Sequence, residues 1–127
     1  MYSSAYRAVS TALAQALTRA GVHVGLTSGY PRVETHTFNE NAALDKGGAV
    51  RVISCIVESM AVTSPEDAES MNAANLTAIQ GLALAADSGF RVVGVVPTQL
   101  QELTETSDTQ QILYRVLQSV DIYVQQQ

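Results

Sequence analysis

The sequence predicts an α+β domain: an antiparallel sheet with two helices packed on one face. Two segments carry apolar residues at helical spacing, residues 3–20 and 64–88. Others alternate or run apolar at strand length, the strongest at residues 49–62 and 111–124. The order along the chain is then helix, strands, helix, strands. With 127 residues and 46% of them hydrophobic, the chain matches one domain over residues 1–127, with neither linker nor internal repeat.

In the first helix Tyr6, Val9, Leu13, Leu17 and Ala20 form one stripe, with Ser10, Thr11, Gln15 and Thr18 on the other side. Gly21 is placed to close it. Residues 22–26 read as a short strand, and Ser28-Gly29-Tyr30-Pro31 as a turn. Residues 32–38 alternate weakly and read as a partly exposed strand. Residues 39–48 have no apolar period, end in Asp45-Lys46-Gly47-Gly48, and read as a loop.

In residues 49–62, Val50, Val52, Ile56 and Met60 share one face, and Ile53, Cys55, Val57 and Ala61 the other. Apolar residues on both faces mean burial on both sides. The second helix starts at Ser64-Pro65-Glu66-Asp67: a capping hydroxyl, a proline at the first helical position, and acids at the positive end. Ala68, Met71, Asn75, Ile79, Leu82 and Ala86 would point inward, and the helix would end near Gly89. Residues 90–96 are a strand, Pro97 interrupts it, and residues 99–104 read equally as its continuation or a helical turn. In the last strand, residues 111–124, Val116, Val120, Ile122 and Val124 share one face; Leu113, Leu117 and Tyr123 sit with Arg115 and Asp121 on the other. A turn centred on Ser107 and Asp108 would set Val95 against Val120 and Val93 against Ile122.

Composition excludes several functions. The net charge of −5 argues against duplex DNA or an anionic membrane as the main partner. A single cysteine, Cys55, excludes an internal disulfide and a thiolate metal cluster. Neither a signal peptide nor an apolar run of spanning length is expected, so the chain reads as made and used inside a cell or in a virion. Aromatic residues at 6%, without tryptophan, offer little stacking surface for single-stranded nucleic acid.

Catalytic chemistry is thin. His23 and His36 lack metal-ligand spacing, and no cofactor or metal is expected. Cys55 lies mid-strand, where a thiol acts as a small hydrophobe. Lys46 precedes two glycines and a strand, unlike the lysine of a phosphate-binding loop. Glu58 interrupts an apolar strand, so it must pair with a base such as Arg51, Arg91 or Arg115, or meet another chain.

Counting faces points to self-association. Two helices can cover one side of a sheet, yet Ile53, Cys55 and Val57, taken with Leu113, Leu117 and Tyr123, put apolar side chains on a second side. A head-to-tail contact between copies would cover it and close into a ring.

The element order carries a resemblance. An alanine-rich first helix precedes Tyr30-Pro31-Arg32-Val33, and a long strand leads into the Ser64-Pro65-Glu66-Asp67-Ala68 helix start. Leu113-Tyr114-Arg115-Val116 then runs on to Val120-Asp121-Ile122-Tyr123-Val124. Together these resemble the tail terminator, or tail completion, proteins of tailed bacteriophages and the related head–tail connector ring proteins. The resemblance implies a structural virion protein and a homo-oligomeric ring of six or twelve copies in the neck or tail, assembled in the host cytoplasm. It implies neither catalysis nor cofactor. Portal, connector or tail-tube proteins would be its neighbours, and DNA would pass through the lumen without specific binding. Under this reading residues 39–48, with Asp45 and Lys46, would reach a neighbouring subunit. Arg32, Glu34, Arg51, Glu58 and Arg115 would make polar contacts between subunits, and Ile53, Val57, Leu113 and Leu117 apolar ones. The alternatives are a small ligand-binding or enzymatic α+β domain, using His36, Glu34, Cys55 and Glu58, or a dimeric adaptor.

Overall fold

The computed structural model describes residues 5–19, 23–24, 29–42, 50–106 and 109–127. Its elements are α1 (Ala5–Arg19), β1 (His23–Val24), β2 (Arg32–Ala42), β3 (Val50–Ala61), α2 (Pro65–Gln80), β4 (Phe90–Thr106) and β5 (Ile112–Gln126). The strands form one sheet in the order β1-β2-β3-β5-β4. The last four are mutually antiparallel, and β1 joins β2 in parallel at the margin. Both helices pack on the same face, which is the α+β architecture expected.

Val9, Leu13 and Leu17 of α1 are fully buried, with Ala5, Ala8, Ala12 and Ala16 beside them. The small alanines bring the helix axis close to the sheet. Tyr6 departs from the expected stripe. It stays 42% exposed and sets its ring edge-on against Phe38, with centroids 5.2 Å apart. α2 begins as its sequence demands: Ser64 caps it by accepting from the Asp67 amide at 3.1 Å, with Pro65 in the first turn. It ends at Gln80 instead of near Gly89. Gly81 weakens the helix there, and Leu82, 8% exposed, turns inward to join the core. Ala86 therefore lies outside the helix and is exposed.

Register decides which face of the sheet is inside. Ile53 pairs with Ile122 and Cys55 with Val120. Ile53, Cys55 and Val57 therefore share the helix-covered face with Val120, Ile122 and Val124, and all six are buried in one core with α1 and α2. The expectation that they lie with Leu113, Leu117 and Tyr123 is overturned. Both faces of β3 are apolar, so alternation alone cannot say which turns inward. The open face carries Val50, Val52, Ile56 and Met60 instead, on the same side as Leu113, Arg115, Leu117 and Tyr123; Met60 is buried there and the others are half-buried.

Two segments expected as loop or undecided are strand. β2 continues through residues 39–42, and β4 carries on past Pro97 to a total of 17 residues. Irregularities make this possible. A bulge between His36 and Asn39, with Thr37 at φ 58°, reverses the side-chain parity of β2 and turns Phe38 toward the core. Two further shifts in β4, between Val92 and Gly94 and between Pro97 and Leu100, move the hairpin register. Val95 therefore faces Ile122, and Pro97 faces Val120. The expected pairs, Val95 with Val120 and Val93 with Ile122, do not form, because a uniform ladder cannot absorb the bulged residues. Ser107 and Asp108, the expected turn centre, lie outside the described residues.

Replacing the α2 cap, Ser64→Ala, should lower stability by about 1 kcal/mol. Thermal or denaturant unfolding reads it directly.

Candidate functional site

Glu58 sits at the middle of the open face, in the central strand β3. Its direct neighbours across the sheet are Glu34 on β2 and Leu117 on β5. A carboxylate facing another carboxylate across a ladder is unfavourable. The chain answers with diagonal partners. His36 on β2 donates from Nε2 to Glu58 Oε1 at 2.9 Å, and Arg115 on β5 donates from Nε to Oε2. The same guanidinium reaches Glu105 on β4 through Nη1. Glu34 is met by Arg32 at 3.3 Å, whose guanidinium lies 5.0 Å from the centroid of the Tyr30 ring. His36, Glu58, Arg115 and Glu105 thus join four neighbouring strands, one side chain from each.

The Glu58 side chain is only 4% exposed. Burial pushes its carboxyl up, but the hydrogen bonds and charges of Arg115 and His36 outweigh this and hold it below the ordinary carboxylate value. Arg115 is held still more firmly protonated, chiefly by its bond to Glu58. Both Glu58 oxygens are engaged. The group is therefore an ionised clasp, not a poised acid or base. Nearby, Ser54 donates to Asp121 at 2.7 Å. Around these polar groups Val50, Val52, Ile56, Leu113, Leu117 and Tyr123 are half-buried. The surface is apolar around a charged centre.

The expected site residues divide into three groups. Arg32, Glu34, Glu58, Leu113, Arg115 and Leu117 come together on the open face. Of the three bases weighed for Glu58, Arg115 is its partner. Ile53 and Val57 do not belong there: both are fully buried beneath the helices and cannot meet another chain. Arg51, opposite Ala42 and Val124, has the register of the helix-covered side. Asp45 and Lys46 lie outside the described residues. His36, Glu34 and Glu58 share the open face, but Cys55 points the other way, 3% exposed, its thiol pushed up to about 12 by burial and then by the Asp121 charge. That environment disarms a nucleophile. Among the described residues no group of three His, Cys, Asp or Glu side chains is placed to hold a metal ion, and no helix is long and apolar enough to cross a membrane.

Sequence reading missed a polar seam on the covered face. Asn75 donates to Ser59 Oγ at 2.9 Å, and Asn72 donates to Gln118 Oε1 at 3.3 Å. Gln118 in turn donates to the carbonyls of Gln99 and Ser119. These polar residues interrupt the apolar faces of α2 and β5, and that interruption was the available signal.

Glu58→Gln should lower stability by about 2 kcal/mol, since it removes charge from hydrogen bonds already made. The pH dependence follows from a depressed carboxyl. Its contribution is complete above the ordinary value of 4.5 and disappears as pH falls through the lower folded value. Urea unfolding from pH 3 to 7 should show a steeper acid loss in the wild-type chain than in the variant.

No family model matches the chain, and no curated protein matches it. Among solved structures, the fold is similar to a chain in a structure titled "Virion of native gene transfer agent (GTA) particle", with a TM-score of 0.65 and 20% sequence identity. The match covers 95% of this chain and 94% of that one.

Proposed function

We propose that this chain is a structural protein of a phage or phage-like virion. In this reading it forms a homo-oligomeric ring of the tail terminator type in the neck or tail, joining the head or portal complex to the tail. The observation that carries the reading is the end-to-end fold likeness to a chain of a gene transfer agent virion. The order of elements in the sequence points the same way. The sheet adds a reason to assemble, because its β4 margin exposes Val93, Val96 and Leu100.

The role is mechanical, not catalytic. Glu58 is held ionised between two donors, and Cys55 is buried as a thiol. A net charge of −5 suits a channel that lets DNA pass without holding it. Portal, connector or tail-tube proteins would stack above and below the ring.

The purified chain at micromolar concentration should sediment as a closed assembly of six or twelve copies. Negative-stain images should show annuli with open centres. A strictly monomeric or two-subunit species overturns the reading. A small molecule retained in native mass spectra would favour the ligand-binding alternative.

A further inference from the structure

We propose that the ring closes edge to edge: the β4 edge of each copy docks against the β2 edge of the next, alongside α1. This rests on the ring reading above and names the surfaces that would make it.

The strand order leaves two margins. β4 is one, and among the described residues no strand pairs with the outer side of its 17 residues. At the other, β1 covers only Arg32 and Val33, so among the described residues β2 from Glu34 to Ala42 is open outward. Long exposed edges invite pairing with other chains, and soluble proteins blunt them. β4 is only partly blunted. Val93, Val96 and Leu100 are 48%, 46% and 52% exposed. Pro97 and two bulges break the middle, but from Leu100 to Thr106 the strand keeps an unbroken register with β5. That stretch can accept another strand.

Three observations make the occupant the opposite edge of a second copy. The first is direction. β2, β3, β5 and β4 alternate, so a copy displaced sideways along the sheet presents its β2 antiparallel to β4. The second is closure. One head-to-tail contact covers both margins of every copy, whereas two β4 edges paired about a two-fold axis leave both β2 edges open. The third is charge. α2 packs on β3 and β5 and reaches β4, whereas α1 packs on β2 and β1. Glu102 on β4 and Glu66 and Glu69 on α2 therefore lie on the β4 side. Close approach to the Glu102 carboxyl raises the Glu69 carboxyl, since two acids side by side disfavour the second charge. Arg19 is exposed on α1, on the opposite side. The acids of the β2 margin are already engaged, Glu34 by Arg32 and Glu40 by the Tyr6 amide at 2.9 Å.

Two double variants test this. Val96→Glu with Leu100→Glu places charge on the β4 edge. Asn39→Asp with Asn41→Asp adds acid to exposed positions of the β2 edge. Each alone should stay monomeric, with circular dichroism unchanged. Mixed in equal amounts, they should form a one-to-one pair, because one intact edge of each kind remains. The single variants Leu100→Glu and Asn41→Asp should each raise the concentration needed for assembly by at least about tenfold, so a folding defect in a double variant does not hide the outcome. Rings that persist in either double variant overturn the edge assignment while leaving the ring reading intact. A mixture that stays monomeric overturns it too, as does a β2 variant that dimerises through β4. A monomeric wild-type chain overturns the ring reading and this inference with it.

Discussion

A sheet that is apolar on both faces, and helices enough for one, is the constraint on which this structure turns. β3 carries it most plainly. Ile53, Cys55 and Val57 go under α1 and α2, and Val50, Val52 and Ile56 are left on the open side. Burying an aliphatic side chain stabilises by roughly 1.5–3 kcal/mol, so the covered face supplies more cohesion than the half-covered one. The net charge of −5 is spread over few ionised groups, 15% of the chain, and does little to mask such a face.

The open face is nonetheless not simply greasy. The Glu58 clasp links β2, β3, β5 and β4 through side chains alone. A charge buried this far is costly unless every acceptor is met, and here both carboxylate oxygens are. The covered face has its own polar link, Asn75 to Ser59 and Asn72 to Gln118, which ties α2 to the central strands. Apolar packing supplies most of the cohesion, and these polar pairs set where the layers sit.

Much of this was legible in the residues. The cap at Ser64, the alanine face of α1 and the continuous apolar character of β3 each followed from local chemistry, and each is present. The need to pair Glu58 with a base was visible, and Arg115 was among the bases weighed. What was not legible depended on register. Which side of β3 turns inward is set by its pairing with β5, and two apolar faces give no local sign of it. The bulges at Thr37 and at Val93 and Pro97 shift pairing by single residues, which alternation cannot reveal. His36 became the second partner of Glu58 only because β2 stands beside β3 in this register. α2 was overextended because Leu82, Leu84 and Ala86 keep a plausible helical rhythm after Gly81, while the chain in fact leaves the helix to bury Leu82.

The central claim is that copies of this chain finish the sheet for one another. Amide hydrogen exchange, compared between the assembled species and a dilute monomer, tests it most directly. Slower exchange on assembly is expected along β4 and the outer side of β2, with α1 and α2 core amides unchanged. Protection gained by the helices, with β4 exchanging alike in both states, would contradict it.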